Sequence, residues 1–136
     1  RAIVEGTMSV FGGTQFRPLL HVRDVATAAI PHLSDSKTGI YNLHTENITV
    51  LELAERIQKI VKEAKIEQTK FSFQDARNYR VNSDKARSEL NFKPKWSIED
   101  GIREVAEAIT QKRIKDVANP RFNNSENLQL QWGVKQ

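Results

Sequence analysis

Arg17, Arg77 and Arg80 are the residues of this chain best suited to chemistry. Arg17 closes a Gly12–Gly13 turn, and Arg77 and Arg80 flank Tyr79 in a polar linker ahead of a capped helix. A guanidinium is planar, permanently charged and carries paired donors. Two or three converging on one cleft would clamp a phosphate or pyrophosphate through bidentate bonds. The same residue types also suit a structural role, with Arg17 paired to a carboxylate and the other two solvated. Residue type alone leaves both readings standing.

Other chemistries find less support. His21, His32 and His44 lack metal-ligand spacing and have no cysteine or paired acid beside them. His21, inside an apolar run, reads as a hydrogen-bonded core residue. Glu46, Glu52 and Asp100 read as capping or solvated acids, and no Ser-His-Asp order is suggested. There is no G-x-G-x-x-G and no P-loop. No Tyr is followed four residues later by Lys, since Thr45 follows Tyr41 and Ser83 follows Tyr79. The chain shows no self-contained catalytic apparatus.

The elements that must position the arginines can be read from periodicity and punctuation. Residues 1–16 are a lead-in ending in the Gly12–Gly13 turn, and Leu19–Val22 read as a strand interrupted by His21. Asp24 sits where a helix cap belongs, ahead of Val25, Ala26, Ala28, Ala29 and Ile30, with Pro31 ending that helix early. Residues 35–39 read as a turn and Ile40–Leu43 as a short strand. Thr49 and Glu52 form a capping box, opening a helix with Leu53, Ile57, Ile60, Val61 and Ala64 on one face. Thr69–Phe73 alternates as a strand, with Phe71 and Phe73 on one side. After an extended piece at Tyr79 and Val81, Asn82 or Ser83 caps a helix through Leu90. Pro94 bars helix in the "NFKPKWS" loop, and Ser97 caps a last helix from Ile98 to about Arg113. The segment 115–136, rich in Asn and Gln, reads as an irregular polar tail.

With 136 residues, 38% hydrophobic and 28% charged, the chain suits one ordinary domain with a real core. A net charge of +4 accommodates an anionic small molecule without requiring nucleic acid. The chain has no cysteine, no run of 18 apolar residues and no signal-peptide pattern, so the expectation is a cytoplasmic protein that is not embedded in a membrane. Because it starts at Arg1 and not Met, a fragment or a processed chain is expected.

Three segments carry a resemblance. "RPLLHVRDVATAAI" (17–30), "GIYNLHTENITVLELAERI" (39–57) and "DARNYRVNSDKARSELNFKPKWSIEDGIREV" (75–105) together resemble the C-terminal half of an NAD-dependent epimerase/dehydratase. These are extended short-chain dehydrogenases of the UDP-glucose 4-epimerase type. The resemblance implies an α/β fold: a C-terminal substrate lobe over residues 1–114, with strands and helices that would normally complete the Rossmann sheet. It implies an N-terminal Rossmann domain, absent from this chain, that holds NAD or NADP and a Tyr-x-x-x-Lys pair. This chain alone is then expected to bind no cofactor and to be inactive. By the same resemblance Arg17 contacts the diphosphate of a nucleotide sugar, Arg77 has a similar duty, and Arg80 is a further candidate. Phe11 and Gln15 lie near the loop that approaches the nucleotide, and Asn42 is structural.

Two departures stand out. The family often has Gly directly after the "YNL" strand, where His44 stands here, which raises the question of a positive φ. Without the Rossmann half, the Leu19–Val22 strand could offer an exposed edge for self-association; the full-length protein is expected to be a homodimer. The alternative reading is a non-catalytic binding or regulatory module of the same superfamily. A basic nucleic-acid binder is disfavoured, because charges alternate in sign along the helices.

Overall fold

The computed structural model describes residues 1–34, 37–69 and 77–122. Within them the chain folds as a mixed α/β unit. Its strands are β1 (Thr7–Phe11), β2 (Phe16–Leu19), β3 (Glu46–Thr49) and β4 (Lys65–Thr69), and its helices are α1 (Val22–Ala29), α2 (Val50–Ile60), α3 (Asp84–Glu89) and α4 (Ile98–Thr110). β1 and β4 run parallel, with Thr7 opposite Lys65 and Phe11 opposite Thr69. β2 and β3 run antiparallel, with Phe16 opposite Thr49 and Leu19 opposite Glu46.

α2 is the element on which both sheets are assembled. Thr49 Oγ1 accepts the Glu52 N–H at 3.1 Å and caps the helix. The backbone N–H groups of Val50 and Leu51 donate to Gln15 and Gly13 carbonyls at 3.1 and 3.0 Å, so the Gly12–Gly13 turn is docked on the helix start. Gly12 and Gly13 have φ of +72° and +95°, which is why the turn uses a glycine pair. α2 also packs on β1, β3, β4 and α4. The core holds Val10, Ile48, Ala54, Ala64, Ala86 and Phe92, each nearly sealed from solvent.

α4 carries a complete capping box. Ser97 Oγ accepts the Asp100 N–H at 3.1 Å and Asp100 Oδ2 accepts the Ser97 N–H at 3.0 Å. The Ser97 bonds hold the Asp100 carboxyl below its usual range.

Several expectations need correction. The strand begins earlier than expected, at Phe16, and α1 already starts at Val22, so Leu20–Val22 are not strand. The cap of α1 is His21, whose Nδ1 accepts the Arg23 N–H at 3.2 Å. Asp24 lies inside the first turn and is buried, with its two carboxylate oxygens accepting the Lys95 and Trp96 N–H groups at 3.0 and 3.1 Å. Two distant amides outbid the local cap for that side chain. Ile40–Leu43 form no strand, because among the described residues no ladder partner lies beside them; the strand of this region is β3, paired with β2. Glu52 does not complete a box with Thr49, since its carboxylate is taken by Arg56 at 2.7 Å. α2 ends at Ile60, short of Ala64, and the following strand is Lys65–Thr69. The expected strand residues Phe71 and Phe73, and the tail from residue 123, lie outside the described residues.

Candidate functional site

Arg17 is half-buried on β2, and the segment 77–81 is fastened alongside it. Phe16 N–H donates to Asn78 Oδ1 at 3.0 Å, and Arg17 Nη1 donates both to the Phe16 carbonyl at 2.8 Å and to the Arg77 carbonyl. The Arg17 guanidinium carbon lies 5.9 Å from the Tyr79 ring centroid, and that of Arg80 lies 3.7 Å from the Phe16 centroid. Asn47 on β3 bonds Val81 on both sides, accepting its N–H at 2.8 Å and donating to its carbonyl at 2.9 Å. Arg17 and the segment that carries Arg77 and Arg80, about 60 residues further along the chain, thus lie side by side, with Phe16 and Tyr79 between them. Cationic planar donors beside aromatic faces can bind a phosphorylated, ring-bearing anion.

The other predicted site residues fall as follows. Gln15 Nε2 donates to the Phe11 carbonyl at 2.8 Å, so these two close the glycine turn that leads into β2. Asn42 is exposed. His44 is buried, with Nδ1 2.5 Å from Ser83 Oγ; burial first, then the Arg87 charge, holds its imidazole below the usual histidine range. Its φ is not positive, so the histidine fits where the family often has Gly. His21 stacks on Trp96, with centroids 5.1 Å apart, and its Nε2 lies 3.1 Å from Glu104. Among the described residues no group of His, Asp and Glu could hold a metal ion.

Asn47 and Asn78 were not anticipated. The one available signal was Asn47 in the middle of a strand, a position where Asn is depleted unless its amide has a partner. Arg56 is a second unforeseen feature: its guanidinium meets Glu46, Glu52 and Glu99 at 2.8, 2.7 and 3.3 Å, tying β3, α2 and α4. The hydrogen bonds that it donates to Glu46 and Glu52 raise its pKa.

A sizeable cavity lies elsewhere. It holds about 800 Å³, is lined mainly by apolar side chains of β2, α2 and α4, including Leu19, Ile57, Ile102 and Ile109, and includes none of the three arginines. It is a packing groove, and the convergent polar groups mark the site better than the volume does.

Comparison with known proteins gives the same family as the sequence resemblance. No family model matches the sequence. UDP-glucuronic acid decarboxylase 1 of Arabidopsis thaliana is 30% identical over 122 residues, covering 88% of this chain and 26% of that protein. The structure of dTDP-glucose 4,6-dehydratase from Bacillus anthracis, solved with NAD, matches with a TM-score of 0.64 and 25% identity, over 82% of this chain and 38% of that one. An NAD-dependent NDP-hexosamine 5,6-dehydratase of tunicamycin biosynthesis matches in fold, with a TM-score of 0.72 at 16% identity, over 85% and 39%. The chain therefore spans about a quarter of the curated relative and under two fifths of these solved chains. The fold is that of part of the extended short-chain dehydrogenases/reductases. The chain is similar to part of these enzymes, which include a nucleotide-sugar decarboxylase and NAD-dependent dehydratases.

The Gly12–Gly13 turn is not a dinucleotide loop. None of the six glycines forms G-x-G-x-x-G. A Cβ at Gly13 would sit 3.2 Å from Leu51 Cβ and 3.3 Å from Val10 Cγ1, so the glycine turn is filled by the protein's own core.

Proposed function

We propose that this chain is the substrate lobe of an NAD(P)-dependent epimerase or dehydratase and that Arg17, with Arg77 and Arg80, holds the diphosphate of a nucleotide sugar. The observation that supports the reading is that the 77–81 segment, which carries Arg77 and Arg80, is fastened beside Arg17 on β2, whose guanidinium bonds the Arg77 carbonyl. Phe16 and Tyr79 border the site and give the base or ribose an aromatic edge. The lobe's role is to bind and orient, supplying charge-assisted bonds to the phosphates while the reacting sugar carbon faces residues outside this chain. NAD(P), held elsewhere in the full-length protein, would supply hydride exchange. By this reading the isolated chain binds nucleotide and turns nothing over.

The test is an amide proton–nitrogen NMR titration of the chain with UDP-, dTDP-, GDP- and CDP-sugars. One nucleotide is expected to shift the Arg17, Arg77 and Arg80 signals. Arg17→Ala should then weaken binding roughly tenfold to a hundredfold, the range for losing one charged hydrogen-bonding partner. Arg17→Lys should recover only part of that, because an ammonium lacks the paired fork. Dispersed spectra that ignore all four nucleotides would overturn the proposal.

A further inference from the structure

We infer that Asn47 is a positioning residue for the arginine site: its side-chain amide holds the segment that carries Arg77 and Arg80 in register with Arg17. The inference rests on the anion-site reading and names a residue that touches no ligand in it.

Residues 77–83 contain neither helix nor strand, and the seven residues before them lie outside the described ones. Among the described residues neither Arg77 nor Arg80 stands in a helix or strand. Three contacts among the described residues fasten the segment to β2 and β3: Arg17 to the Arg77 carbonyl, Phe16 N–H to Asn78, and Asn47 to Val81. Only the last pairs both a donor and an acceptor with one residue's backbone, the pattern by which neighbouring strands pair. Asn47 stands opposite Pro18 in the β2–β3 ladder. Cross-strand partners share a face, so Phe16, Pro18 and Asn47 point to the same side of the pair. Arg80 lies over Phe16 and Val81 binds Asn47 on that side, so the segment is laid across it as a surrogate strand. A shorter or apolar residue at 47 would leave Val81 N–H and C=O without these partners. The arginine-bearing segment would then have to be ordered at the moment the anion binds.

The experiment uses the full chain, with UDP as the probe. Asn47→Ala is expected to weaken UDP binding about tenfold, as two neutral hydrogen bonds warrant. It should also speed amide exchange at Val81 and shift the Arg17 Nε–H signal, leaving β1, β4 and α2 protected. In an Arg77→Ala/Arg80→Ala background the same change should cost less than twofold, because the groups it positions are gone. Asn78→Ala, at an exposed position, repeats the effect in smaller degree should Asn47→Ala fold poorly. If wild type ignores UDP while Asn47→Ala still moves the Arg17 and Val81 signals, the anion reading fails and the positioning role stands. If Asn47→Ala leaves those signals unchanged, or weakens binding equally in both backgrounds, the positioning role is overturned.

Discussion

Replacing Asp24 by Asn tests the most consequential interior contact. The carboxylate is 2% exposed and accepts two consecutive backbone amides, Lys95 at 3.0 Å and Trp96 at 3.1 Å. It ties the first turn of α1 to the loop that feeds α4, across 71 and 72 residues of sequence. Asn keeps the shape and one acceptor oxygen. Its NH2 must face the other amide, so one charged bond is lost and a buried N–H is orphaned. Bonds to a charged group contribute about 1.5–3 kcal/mol and an orphaned buried donor costs about 1–3 kcal/mol. A net loss of about 3 kcal/mol follows, a large share of the 5–15 kcal/mol typical of a domain. With about 2.1 cal/mol/K of unfolding entropy per residue, a chain of 136 residues converts this into a fall in Tm of roughly 10 °C. The assay is circular-dichroism melting with amide exchange at Lys95 and Trp96, and Glu55→Gln, exposed on α2, as the control. The control should stay within about 0.5 kcal/mol. An Asp24→Asn melt within about 2 °C of wild type, with both amides still protected, would refute the assignment of Asp24 as the tie.

Three more outcomes are expected. Burial and Arg87 hold His44 below its ordinary 6.5, so the unfolded chain takes up a proton that the fold resists; stability should be steady above that pH and fall as the pH drops below it. Urea midpoints at several pH values read this slope, and His44→Gln should flatten it. Arg56→Met leaves Glu46, Glu52 and Glu99 facing one another without their cation; denaturation should show a loss of about 1 kcal/mol, kept modest by the exposure of the acids and shrinking as salt is added. Gly13→Ala combines φ of +95° with contacts of 3.2 and 3.3 Å to Leu51 and Val10, whereas Gly6, at φ +69°, faces open space. Thermal melts should therefore show about 2–3 kcal/mol lost at Gly13 and about 1 kcal/mol at Gly6.

What the sequence determined by itself is whatever rests on neighbours along the chain. Thr49 and Ser97 announce the starts of α2 and α4 because a cap reaches only two or three residues. The glycine pair announces its turn through the backbone conformation it alone adopts freely. The three quoted segments were enough to name the family. The positions at which local reasoning failed are those where a distant group captured the side chain. Asp24 should have capped α1, yet its oxygens belong to Lys95 and Trp96. Glu52 should have completed a box, yet Arg56 holds it. Of the two residues expected to cap α3, Asn82 receives the Asp84 N–H, while the Ser83 hydroxyl is at His44. The candidate site follows the same division. The types of Arg17, Arg77 and Arg80 were legible, because a guanidinium's chemistry is local to the residue. That the 77–81 segment lies beside Arg17 rests on bonds from Asn47, Phe16 and Arg17 to residues some 34 to 62 positions away, and only the folded chain brings those together.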